Sequence, residues 1–179
     1  MKTAFLALTL TILSVQLAQA DTNFGHWSIG TTNNKAMAYA ATANDDGAIF
    51  GEYCGFSSKK CSWEIGIDMA CTKGADYPVL ANTDKGAINL TLLCVGPMSG
   101  GNLYEYIFKN WKDLENVAKS GSMIGIAAPL QADQFKVYRF VLDGLNQSTN
   151  SLESSFFASV GNASGKNTKP VLSTQSEIL

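Results

Sequence analysis

Histidine and arginine are almost missing from this chain: His26 and Arg139 are the only ones among 179 residues. One histidine excludes the multi-histidine metal centres that need several imidazoles. One arginine, with 13 Lys+Arg set against 15 Asp+Glu, removes the basic, arginine-bearing face that a nucleic-acid binder requires. Beyond residue 20 no apolar run approaches the ~18–20 residues of a membrane span. C-x-x-C pairs are missing as well, and with them both the thioredoxin-type redox motif and the usual zinc clip. No residues suggest a cofactor.

What the chain does have begins at its first residues, MKTAFLALTLTILSVQLAQA. Lys2 supplies a short positive region, Ala4 to Leu17 is apolar apart from hydroxyl residues and Gln16, and Ala18-Gln19-Ala20 has the small-x-small form of a signal-peptidase site. We therefore expect residues 1–20 to be a signal peptide cleaved before Asp21. The mature chain is expected to be secreted or periplasmic, with no integral membrane segment. Lys2 leaves with the leader, so 12 Lys+Arg face 15 Asp+Glu, a net charge of −3. The 159 residues that remain suffice for one domain with its own core. We place that domain at 21–160 and a polar, aperiodic tail at 161–179.

Four cysteines in an exported chain read as two structural disulfides among Cys54, Cys61, Cys71 and Cys94. Loop entropy does not choose between pairings: Cys54–Cys61 with Cys71–Cys94 gives about 2.5 and 3.4 kcal/mol, and Cys61–Cys71 with Cys54–Cys94 about 2.8 and 3.9. Local sequence favours the first set. GFSSKK (55–60) is a turn-forming insert that a bridge can staple at its base, and Cys71 to Cys94 encloses an apparent hairpin around TDKG.

Short β-type runs dominate to residue 143: HWSIGT (26–31), AMAYAATA (36–43), AIFGEYC (48–54), SWEIGIDMAC (62–71), the hairpin 77–94, LYEYIF (103–108), MIGIAA (123–128) and FKVYRFVLDG (135–144). Trp63, Ile65, Ile67 and Met69 alternate with polar or small residues, as a strand with one buried face does. In the last run Phe135, Val137 and Phe140 break alternation, which implies a bulge or burial on both faces. Trp111, Leu114 and Val117/Ala118 have helical spacing up to Gly121, and Leu145, Thr149, Leu152 and Phe156 predict a short terminal helix. The pattern predicts a single antiparallel β-sandwich of eight or nine short strands with one or two short helices.

Chemistry-bearing groups are sparse, and none is read as catalytic or metal-binding. His26 beside Trp27 has no nucleophile-elbow serine to serve and reads as a surface or strand-end residue. Asn44-Asp45-Asp46-Gly47 has turn composition and lacks the ligand spacing of an EF-hand. Tyr104, Tyr106, Phe108 and Trp111 follow a glycine-rich break and are the first choice for a binding surface, although aromatic residues in small β domains more often build the core.

FGHW (24–27), the cysteine-bounded middle, DLENVAKSGSMIGIA (113–127) and the closing VYRFVLDGLNQSTNSL (137–152) together resemble the invasion-associated locus B family of bacterial exported proteins. The resemblance runs in order over residues 24–157, and the cysteine spacing departs from it. It implies a compact β-sandwich that acts at host cells without a catalytic site. The reading from sequence is an exported, non-enzymatic binding protein whose partner is a host-cell or envelope protein. The alternatives are a small secreted hydrolase using carboxylates or a Ser/His pair, and a periplasmic enzyme inhibitor.

Overall fold

The computed structural model describes residues 22–130 and 134–164; the expected leader (1–20) and the tail beyond Ser164 lie outside them. Ten strands form one antiparallel sheet: β1 (Thr22–Phe24), β2 (Trp27–Thr31), β3 (Met37–Ala43), β4 (Ile49–Gly55), β5 (Lys60–Ile67), β6 (Asp76–Thr83), β7 (Gly86–Pro97), β8 (Tyr104–Phe108), β9 (Met123–Pro129) and β10 (Phe135–Val141). The helices are α1 (Trp111–Ala118) and α2 (Leu145–Ser164). Strand order is β1-β2-β3-β4-β5-β8-β7-β6-β9-β10. β1 to β5 therefore run as a meander, and β8 stitches that meander to the β6–β7 hairpin.

The expected mainly-β class is present, but all ten strands belong to one hydrogen-bonded sheet, and the sequence reading had omitted β1. The sheet coils until its distant parts meet. Phe50 on β4 lies 5.3 Å, centroid to centroid, from Phe140 on β10, and 6.0 Å from Phe108 on β8. Trp27 packs edge-on against Phe50 and Trp63, and its Nε1–H donates to the Val141 carbonyl at 3.0 Å. These rings, with Ile65, Leu92, Ile124, Ile126 and Tyr138, form the core. Alternation along the strands explains the arrangement, since inward residues recur every second position.

β10 contains no bulge: its pairing with β9 is continuous from Phe135↔Pro129 to Val141↔Met123. Tyr138 and Phe140 point inward, whereas Phe135 and Val137 point outward and are exposed. The β10–α2 junction needs a glycine. Gly144 has φ of +92°, and a Cβ there would collide with the Phe24 carbonyl. α2 then crosses the first strands, burying Leu145, Leu152 and Phe156, the last stacked on Phe56 at 5.4 Å. It is 20 residues long, longer than the short helix expected, and runs past residue 160. The disulfides are Cys54–Cys61, between directly paired residues of β4 and β5, and Cys71–Cys94.

Candidate functional site

The structure divides the aromatic group singled out by sequence. Tyr106 and Phe108 are fully buried, Tyr104 is half-buried, and Trp111, 43% exposed, opens α1 on the surface. Tyr106 spends its hydroxyl on the Met69 carbonyl at 2.7 Å. Only Trp111 and part of Tyr104 are therefore presented to solvent. His26 lies between β1 and β2 with Nδ1 3.9 Å from an Asp143 carboxylate oxygen, both side chains well exposed. Asn44 closes the turn at Asp45-Asp46-Gly47, its Oδ1 accepting from the amides of Asp46 and Ala48.

Two acidic residues occupy places that sequence did not single out. Glu52 sits between Phe50 and Cys54 on the inner face of β4 and is 4% exposed. Burial, reinforced by the nearby Glu153 of α2 and Glu115 of α1, pushes its carboxyl up to about 8, against which Lys119 acts weakly. Oε2 of Glu52 is buried without a hydrogen-bond partner. Carboxylate and cysteine sulfurs gather here: an oxygen of Glu52 and the Sγ atoms of Cys54 and Cys61 lie within 4.8 Å of one another.

On the opposite face, Glu64 of β5 is 6% exposed. Desolvation raises it to about 7, the hydroxyl of Ser62 donates to it at 2.7 Å, and Glu105 of β8 adds repulsion and a shared hydrogen bond. Its surroundings also push the Tyr53 phenol upward. Met37, Met98, Ile49 and Thr32 complete a cavity of about 130 Å³. Small-molecule sites occupy roughly 300–1,000 Å³. This one holds a carboxyl pair but has no room for a sugar ring or peptide unit.

The outward face of β6, β9 and β10 is larger. Register places Leu80, Ala127 and Val137 in one cross-strand row and Asn82, Gly125 and Arg139 in the next. Gly125 and Ala127 form a low floor between higher walls, apolar at Leu80, Met123 and Val137 and polar at Asn82, Asp84 and Arg139, giving a trough of about 420 Å³. Of the large apolar side chains exposed among the described residues, Leu80, Met123, Phe135 and Val137 belong to this face, while Leu130 follows the end of β9 and Trp111 and Phe157 lie elsewhere. β10 is also the last strand of the sheet. Phe135, Val137 and Arg139 of one alternating set were the available signal for this face, but the sequence cannot say which side of FKVYRFV meets solvent.

No protein-family model matches the chain, and no curated protein matches it. Among solved structures it is similar to the crystal structure of invasion associated protein b from Bartonella henselae, with TM-score 0.54 and 14% identity over 76% of this chain and 98% of that one. At that identity the likeness is one of fold.

Proposed function

We propose that this chain is an exported, non-enzymatic binding protein that engages a host-cell or envelope protein through the outer face of β6, β9 and β10. The observation carrying this reading is the gathering of Leu80, Met123, Phe135 and Val137 on that one face. Exposed apolar side chains scattered singly need no explanation, whereas a contiguous group on a rigid sheet is what an interface core looks like before its partner arrives. Arg139, exposed and lining the trough, offers a planar guanidinium to a partner carboxylate. Two disulfides suit a domain working outside the cytoplasm. A fold shared with a protein named for its association with invasion is in keeping with that setting.

The hydrolase alternative draws less support. Glu64 and Glu105 do converge, but in a space of about 130 Å³, and Glu52 points into the core. The test is binding of labelled protein to cultured host cells and to isolated bacterial envelopes. Saturable binding that Leu80→Glu with Val137→Glu weakens at least tenfold, at unchanged melting temperature, is the expected outcome. Undiminished binding by that variant would sink the reading. Export is tested by the intact mass of the recovered protein, expected to begin at Asp21; a mass retaining residues 1–20 contradicts it.

A further inference from the structure

We propose that reduction of the Cys54–Cys61 disulfide opens a binding site for one zinc-class divalent metal ion, with Cys54, Cys61 and Glu52 as ligands. The three nearest donors are already assembled, with ligand atoms within 4.8 Å of one another. Their placement follows from the strands. Glu52 and Cys54 are two apart on β4 and share its inner face, and Cys61 is the direct cross-strand partner of Cys54, with Cα atoms 4.0 Å apart. A tetrahedral zinc with Zn–S bonds near 2.3 Å holds its sulfurs ~3.8 Å apart. Two thiolates on directly opposed residues reach that spacing by rotating side chains, with the backbone left in register.

An independent observation points to a ligand. Glu52 is 4% exposed, its Oε2 has no hydrogen-bond partner, and a carboxylate oxygen of the same side chain lies within 4.8 Å of both sulfurs. A structural disulfide needs no carboxylate at its side, and burying one there is costly. A metal-thiolate centre uses it directly.

The chemistry is thiol–disulfide exchange followed by metal entry. A dithiol reductant gives two electrons and two protons: its own sulfurs join, the Cys54–Cys61 S–S bond breaks, and each Sγ gains a hydrogen. Cys61 is partly exposed and provides the point of attack. Metal binding then releases both thiol protons.

The test titrates cadmium, and separately zinc, into purified protein before and after reduction with dithiothreitol and removal of the reductant. Ultraviolet thiolate-to-cadmium absorption and bound metal per chain are the readouts. One equivalent should bind after reduction and none before, and Cys54→Ser with Cys61→Ser should abolish the band. Glu52→Gln should weaken binding by at least about tenfold. That variant also distinguishes a built site from two thiols on an unravelled chain, which would bind metal equally with either residue at 52. Equal affinity of the Glu52→Gln variant, stoichiometric binding by the oxidised protein, or no thiolate band after reduction each overturns the proposal.

Discussion

Glu52 and Trp63 stand directly opposite each other on β4 and β5, and each carries a buried polar atom, Oε2 and Nε1, with no hydrogen-bond partner. The neutral carboxyl is the cheaper occupant of such a place, because an unpaired charge costs far more to bury than an unpaired hydroxyl or carbonyl. The groups facing Glu52 are Glu153 from α2, Glu115 from α1 and Lys119 just past the end of α1.

A pH dependence follows. Glu52 moves from 4.5 to about 8 and Glu64 from 4.5 to about 7 on folding. Between those values the native chain holds protons that the unfolded chain has released, so stability falls as pH rises. The contribution is complete below about 4.5, declines across the window, and is gone once pH passes the folded-state values. Urea midpoints measured from pH 4.5 to 8.5 should fall steadily, and Glu52→Gln, which fixes the neutral form, should flatten part of the slope. A midpoint that rises over this range contradicts the assignment.

The two faces of β10 should respond differently. Phe140 is 1% exposed and packs on Phe50, so Phe140→Ala should cost about 3–5 kcal/mol. Phe135, 67% exposed, should cost within about 0.5 kcal/mol when changed to Ala. Equal costs in denaturant unfolding would mean that the strand faces are assigned wrongly.

The disulfides differ in the loops they close. Replacing Cys54 and Cys61 by Ser should cost about 2.5 kcal/mol, and replacing Cys71 and Cys94 about 3.4. Peptide mapping without reduction should recover a fragment joining Cys54 to Cys61; one joining Cys54 to Cys94 contradicts the fold.

Gly144→Ala should destabilise more than Gly47→Ala. Both glycines have positive φ, but a Cβ at 47 meets open space whereas one at 144 meets the Phe24 carbonyl. Strain alone is worth roughly 1–3 kcal/mol, so Gly47→Ala should stay in that range and Gly144→Ala exceed it. Similar melting temperatures for the two variants would show that the junction relaxes freely.

Much of the strand pattern was legible, because β2 to β10 each carry alternation or a turn signal at their ends. β1 was not: Thr22–Phe24 is too short for a period to register, and it exists through pairing with β2. Strand order was also hidden, since β8 enters between β5 and β7 through contacts remote in sequence. Both cysteine pairs could be read from local turns. Alternation with Phe50 and Cys54 places Glu52 inside, against the general rule that puts glutamate outside. For Tyr106 and Phe108, richness in aromatics marked core where a surface was sought.

The bond from the Trp27 indole to the Val141 carbonyl spans 114 residues. Until that carbonyl is in place, the tryptophan lacks its hydrogen-bond acceptor and the first strands lack their far wall. The last strand of the sheet is thus needed to finish the first part of the core. Topologies dominated by such distant pairings assemble slowly, in milliseconds to seconds. Any chain ending before residue 141 should remain an open, adhesive ribbon rather than a smaller version of the domain.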